Sequence, residues 1–153
     1  VTRHKAEGVR LRAATERDLQ GIHGIEVATF ADAWSLSGFR DVLDHPHALL
    51  EVAESDSGEL LGYAAAWFVA DESEIANLAV AEPVRRRGVA SLLLDRILAE
   101  AATFGARSVF LEVRESNEGG RKLYESRGFV ASGRRKLYYR KPDEDALIMR
   151  RAL

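Results

Sequence analysis

Asn77-Leu78-Ala79-Val80-Ala81-Glu82-Pro83-Val84-Arg85-Arg86-Arg87-Gly88-Val89-Ala90 is the stretch on which the reading of this chain turns. An apolar strand ends in it, a basic loop follows, and a long helix begins at its close. The helix opens with Val89-Ala90-Ser91-Leu92-Leu93-Leu94, and its apolar spacing continues through Ile97, Leu98, Ala101 and Phe104. A helix start carries unpaired backbone N–H groups and the positive end of the macrodipole. A glycine just before it, here Gly88, lets the backbone close around a phosphate oxygen. Arg85 to Ser91 therefore reads as an anion cradle made mostly of main-chain N–H groups. The side chains of Arg85, Arg86 and Arg87 matter less than their amides. A basic turn that merely caps a helix would have the same residues, so the rest of the chain must separate the two readings.

The length, 153 residues, suits one domain spanning 1–153 with a single core. Residues 1–8 are expected to form a flexible start. The composition is that of a globular protein, 46% hydrophobic and 30% charged. A net charge of −2 gives no overall pull toward nucleic acid or anionic membrane. The absence of cysteine excludes disulfides, thiolate metal sites and a cysteine nucleophile, and fits a reducing cytoplasm. No apolar run approaches the roughly 18–20 residues needed to span a bilayer. Val1 to Lys5 lacks the apolar core of a signal peptide. The expectations are a cytoplasmic chain, a monomer or weak dimer, without nucleic-acid or membrane partners.

Upstream, Val9 to Ala13 alternates apolar and basic residues, as an edge strand does. Thr15 caps a helix running through Leu19, Ile22, Ile25 and Glu26 to about Ala28. Ser35 caps a second, short helix through Phe39, Val42 and Leu43, which His45-Pro46-His47 stops. Ala48–Glu54 and Leu60–Val69 form an antiparallel hairpin around a turn at Asp56–Glu59. Gly62 within the second strand indicates a bulge or a close backbone contact. Glu72 to Val80 is the next strand. Its late half is apolar on both faces, which predicts the middle of a sheet. His45 and His47 have no third ligand of matching spacing, so loop histidines are expected rather than a metal site. Trp34 fits either plain core or the mouth of a site.

Downstream, Gly105 ends the long helix, and Ser108 to Val113 is a buried strand. Strand, right-handed crossover helix and strand make the strands ending at Val80 and Val113 parallel neighbours. Their C-terminal ends then share an edge with the cradle, where open α/β sheets hold ligands. Glu112 is a carboxylate in an otherwise apolar strand, so it must be paired, protonated or useful. An ion pair with Arg114 or Arg134 would satisfy it. A polar turn, Arg114 to Asn117, leads to a helix from Glu118 to Arg127, with Gly128 behind it. Tyr124 lies on the sheet side of that helix, either as core or as a working phenol.

These motifs together resemble the GNAT acetyltransferases. Arg85-x-x-Gly88-x-Ala90 is similar to the family's acetyl-CoA pyrophosphate signature. Leu111-Glu112-Val113-Arg114-x-Ser116-Asn117 and Leu123-Tyr124-Glu125-Ser126-x-Gly128-Phe129 resemble its later motifs. More narrowly, Phe30-Ala31-Asp32-Ala33-Trp34-Ser35, Arg134 to Tyr139 and Glu144-Asp145-Ala146-x-x-Met149 resemble the RimI subfamily, which acetylates the N-terminus of ribosomal protein S18. Ala33 stands where that subfamily usually has proline, and Leu137 where it often has Asn or Gly. Both departures lie by the presumed acceptor groove. The resemblance implies an α/β fold: a mixed, mostly antiparallel sheet splayed between the fourth and fifth strands, flanked by about four helices.

Direct transfer needs a neutral amine, a stabilised oxyanion and a proton for the leaving thiolate. Residue by residue, the resemblance implies Glu112 as base, through a water, and Tyr124 as the acid that protonates the CoA sulfur. A phenol of ordinary pKa, about 10, can donate to a thiolate of comparable basicity. The resemblance further implies acetyl-CoA as co-substrate, no metal, and main-chain contacts to it from Leu78, Ala79 and Val80. Arg85, Arg86, Arg87, Gly88, Val89, Ala90 and Ser91 would hold the diphosphate, and Asn117 would hydrogen-bond the cofactor. Trp34, Tyr139, Glu144 and Asp145 are the expected peptide-groove residues, aromatic walls with acids for the ammonium. An α-amine, of pKa about 8, is easier to neutralise than lysine by about 3 kcal/mol, which suits a single modest base. Lysine, a small-molecule amine, or a non-catalytic acetyl-CoA sensor are the alternatives.

Overall fold

The computed structural model describes residues 8–140 and 142–153. The expected flexible start therefore lies outside the described residues, apart from Gly8. In chain order the elements are β1 (Val9–Ala13), α1 (Leu19–Thr29), α2 (Leu36–Asp44), β2 (Ala48–Ser55), β3 (Leu60–Val69), β4 (Glu72–Val80), α3 (Val89–Phe104), β5 (Ser108–Arg114), α4 (Glu118–Ser126), β6 (Val130–Tyr139) and β7 (Glu144–Ala152). Two 3₁₀ turns, Glu16–Asp18 and Glu82–Val84, precede α1 and α3. Thr15 thus caps a 3₁₀ turn rather than α1 itself, and Asp18 answers by accepting the Thr15 N–H at 2.7 Å.

One seven-stranded sheet runs β1-β2-β3-β4-β5-β7-β6, with β1 at one edge as its alternation predicts. Every pair is antiparallel except β4 and β5. The mixed sheet and its four α-helices agree with the expected architecture. α1 and α2 cover one face through Leu19, Ile22, Phe39 and Val42, packed on Leu50, Val52, Tyr63 and Ala79. α3 and α4 cover the other through Val89, Leu93, Ile97 and Tyr124, packed on Ala64, Leu111, Phe129 and Met149. The expected close contact at Gly62 is present: a Cβ there would lie 2.8 Å from the Ala79 carbonyl oxygen.

β4 is the central strand of the seven, as its apolar late half predicts, but that half is paired on one side only. β5 pairs only with the polar half, from Glu72 opposite Ser108 to Ile75 opposite Leu111. The register on the β3 side then slips between Ala65 opposite Asn77 and Ala66 opposite Ile75, so Ala76 is a bulge. A bulge bends its strand and increases the twist. Beyond it, β4 continues along β3 while β5 turns to β7. Apolar residues there meet a helix layer on each face, yet one edge stays open. Periodicity reports faces and is silent about edges.

Candidate active site

The open edge can be phased. Ala81 N–H donates to Leu61 O at 2.8 Å, and Ala79 stands opposite Tyr63. Antiparallel ladders alternate bonded and non-bonded pairs. Ala79 is therefore bonded to β3, whereas Leu78 and Val80 turn their N–H and C=O groups toward the gap left by β5. The Val80 carbonyl is met on that side by Arg85 Nε, at 3.1 Å.

At the end of this edge the loop enters α3 through two left-handed residues, Arg86 at φ 69° and Gly88 at φ 81°. Such alternation turns successive N–H groups inward. The first bond into the helix is Leu92 N–H to Gly88 O, at 3.1 Å. The N–H groups of Arg86, Arg87, Gly88, Val89, Ala90 and Ser91 have no acceptor among the described residues. A run of free amides at a helix start is chemically suited to a diphosphate. The Arg85 guanidinium reaches away from this cradle, to Val80 O and to Thr29 Oγ1 at 3.3 Å. Arg86 and Arg87 are exposed beside it.

Glu112 and Tyr124 lie on opposite faces of the sheet. β5 alternates strictly: Val109, Leu111 and Val113 are buried against α3 and α4, and Phe110, Glu112 and Arg114 face the other way. Glu112 is thus half-buried on the face that α1 and α2 leave bare, and not enclosed in a buried strand. Its partner is neither Arg114 nor Arg134. Arg135 Nη1 donates to both carboxylate oxygens, at 3.1 and 2.9 Å. Tyr124 lies on the α3–α4 face, 8% exposed, its ring edge-on to Phe129 at 5.7 Å. Burial pushes its phenol up to about 12, above the ordinary value assumed from sequence.

Asn117, in the turn between β5 and α4, caps α4: its Oδ1 accepts Gly120 N–H at 2.9 Å, leaving the amide Nδ2 as a donor. The groove residues are held by a network that the sequence did not reveal. Arg114 donates to Glu144 Oε1 at 3.1 Å, to Asp32 Oδ2 at 2.9 Å and to the Pro142 carbonyl at 2.9 Å. Its guanidinium stacks over the Tyr139 ring, 4.6 Å from the centroid. Asp32 also accepts Arg140 N–H at 2.9 Å. The loop before α2 is thereby tied to the β6–β7 turn across the end of β5. Burial raises the Tyr139 phenol. Ser116 and Arg114 hold Glu144 below the usual carboxylate range. The Leu137 N–H, and then Arg134, do the same for Asp145. Both acids already serve as acceptors within the chain. Trp34 is half-buried and packs on Phe39 at 5.1 Å.

Leu137 adopts φ 49°, a left-handed conformation that Asn or Gly enters most easily. The departure noted at this position is therefore one of backbone fit. His45 Nδ1 accepts His47 N–H at 3.0 Å, and His45 stands edge-on to Trp67. No cluster of His, Asp and Glu suited to a metal occurs among the described residues. No helix among them is long and apolar enough to cross a membrane.

Glu26, part of the predicted first helix, was not among the expected site residues. It sits on the apolar stripe of α1 with Leu19 and Ile22, 1% exposed. A carboxylate at a stripe position was the available signal.

Comparison with known proteins gives three consistent results. Residues 19–129 match the acetyltransferase (GNAT) family. The chain is 35% identical over 133 residues to a putative ribosomal protein bS18-alanine N-acetyltransferase of Bacillus subtilis, covering 86% of this chain and 87% of the relative. It is 33% identical over 134 residues to the bS18-alanine N-acetyltransferase of Escherichia coli K12, covering 86% and 89%. The crystal structure of the ribosomal-protein-S18-alanine N-acetyltransferase from Escherichia coli superposes with a TM-score of 0.86 at 30% identity, covering 94% of this chain and 93% of that one. The Ard1 structure from Thermoplasma volcanium shares the fold, with a TM-score of 0.88 at 24% identity over 95% and 98%.

Proposed function

Because the chain belongs to the acetyltransferase (GNAT) family and is an acetyl-CoA-dependent N-acetyltransferase, we propose that its acceptor is a protein N-terminal amine, the alanine of ribosomal protein S18. The likeness to relatives of that name over most of both chains carries the reading. The geometry supports it. Acetyl-CoA supplies an activated acyl group. The six free amides from Arg86 to Ser91 would hold its diphosphate, and Leu78 and Val80 would pair with the pantetheine arm as with an added strand. Asn117 Nδ2 would bind the same arm.

The parting of β4 from β5 makes a window between the two faces of the sheet. The thioester would reach it from the α3–α4 face, where Tyr124 stands ready to protonate the sulfur. The amine would come from the other face, past Trp34 and Tyr139, where Glu112 takes its proton through a water. Arg135 holds the base in one orientation through both carboxylate oxygens. Glu144 and Asp145 shape the groove wall by holding Arg114 and the β6–β7 turn. The Leu78 N–H, pointing into the gap, would receive the developing oxyanion.

The test is mass spectrometry of peptides incubated with acetyl-CoA, starting with Ala, Ser or Met, or bearing an internal Lys. Acetylation of the S18 N-terminal sequence on its α-amine is expected, ahead of every other peptide. Turnover of a small amine with no N-terminal peptide modified would defeat the assignment.

A further inference from the structure

Glu26 is a buried carboxylate without a basic partner among the described residues. The other buried acids differ: Glu54 meets Arg10 and Arg12, and Glu51 meets Arg96. Glu26 is satisfied by neutral donors from three separate segments. Tyr63 of β3 donates its hydroxyl to Oε1. Asn77 of β4 donates Nδ2 to both oxygens, at 2.8 and 2.7 Å. Trp34, in the loop before α2, donates its backbone N–H to Oε2 at 2.9 Å.

These donors border the transfer window. Asn77 follows the bulge at Ala76 and precedes Leu78, whose amide turns into the gap. Trp34 belongs to the loop that forms one bank of the acceptor groove. An apolar residue of similar volume would fill the same space without desolvating a charge, so stability alone does not call for a carboxylate here. What the carboxylate adds is geometry, since each oxygen accepts in a fixed direction. Burial and the nearby Glu26 raise the Tyr63 phenol, which stays a donor.

We propose that Glu26 is a positioning residue for the transfer: it locks the acceptor-side loop to the strand that carries the thioester, so that amine and carbonyl meet in register. This rests on the acetyltransferase reading above. Glu26 touches no reacting atom. It acts through Trp34 and Asn77.

The decisive variants are Glu26→Met and Glu26→Gln. Met fills a similar volume and offers no acceptor to the Trp34 N–H or to Asn77 Nδ2. Gln keeps one oxygen that can still accept from both. With an alanine-starting peptide, Glu26→Met is expected to raise the acceptor KM at least 10-fold, while acetyl-CoA binding by calorimetry stays within 2-fold. Amide hydrogen exchange at Trp34 should accelerate at least 10-fold. Glu26→Gln should stay within 3-fold of wild type in both. An unchanged acceptor KM in Glu26→Met, equal losses for both substrates, or a Glu26→Gln as impaired as Glu26→Met would overturn the proposal. Should Glu26→Met not fold, Asn77→Leu removes the strand side of the link and decides by the same measurements: a selective rise in acceptor KM supports the role, and no change refutes it. If the wild-type chain modifies no peptide, the acceptor reading fails by itself. Exchange at Trp34 then still decides whether Glu26 holds the loop.

Discussion

Arg135 of β6 reaches across β7 to grip both carboxylate oxygens of Glu112 on β5, at 3.1 and 2.9 Å. The proposed base thus has a fixed orientation and a counter-charge. Glu112→Gln keeps the shape and removes the proton acceptor. Its kcat should fall about 10²- to 10⁴-fold, the usual contribution of a general base. Acetyl-CoA affinity by calorimetry should stay within about 2-fold, since the carboxylate lies on the opposite face from the cradle. A kcat equal to wild type removes Glu112 from the mechanism.

Tyr124 carries two linked expectations. Tyr124→Phe should lower kcat about 100-fold or more with acetyl-CoA binding nearly intact. The second concerns stability at high pH. Its folded pKa, about 12, lies above the ordinary phenol value, so the neutral form is favoured by folding. That contribution is complete below pH ~10 and is lost as pH rises toward ~12, by at most about 3 kcal/mol. Urea unfolding between pH 9 and 11.5 should show a shallower decline for Tyr124→Phe than for wild type. The other raised tyrosines, Tyr63, Tyr138 and Tyr139, are common to both chains and cancel. Parallel pH profiles would count against a buried phenol.

The Arg114 guanidinium joins the two banks of the groove. Arg114→Ala should raise the acceptor KM about 10-fold or more, because several acceptors lose their donor together. Arg114→Lys should not restore it, since an ammonium cannot serve the same planar set. Asp32→Ala removes one exposed partner of Arg114 and the acceptor of the Arg140 N–H, and leaves the rest of the set in place, so its KM should rise less than that of Arg114→Ala. Equal effects from the two alanine variants would refute the hub.

Gly88 sits at φ 81° where the amides converge. Gly88→Ala forces a side chain into left-handed backbone at a cost of about 1–2 kcal/mol, or turns the amides outward. The Kd for acetyl-CoA should rise about 10-fold while circular dichroism is unchanged. Wild-type affinity would mean that the cradle does not hold the diphosphate.

Leu137 offers a gain instead of a loss. Leu137→Gly or Leu137→Asn relieves the strain of φ 49° and should stabilise the fold by about 1 kcal/mol. For a chain of this length that corresponds to about 2–4 °C in Tm by calorimetry. A lower Tm would show that the turn does not depend on this residue's backbone preference.

Most elements, and the run of free amides at the start of α3, were legible in the chain because their causes are local. Alternation in β1, the 3.6-residue stripe of α3, Ser35 as a cap and glycines at 88 and 105 act on neighbours a few residues away. The family motifs added the roles expected of Glu112 and Tyr124. The apolar end of β4 announced a central strand, and the resemblance, not the periodicity, announced its open edge.

From the sequence alone came the order of the elements through α4, the parallel crossover and the position of the free amides that open α3, all set by short-range backbone chemistry; the last strand came from the family resemblance. The tertiary structure alone decided that β4 parts from β5 at the Ala76 bulge, which face Glu112 takes, that Arg135 is its partner, and that Glu26 gathers Tyr63, Asn77 and Trp34. These contacts join residues as far apart as 51 positions, Glu26 to Asn77. Strand register and one bulged residue bring them together, and neither has a signature in the neighbouring residues.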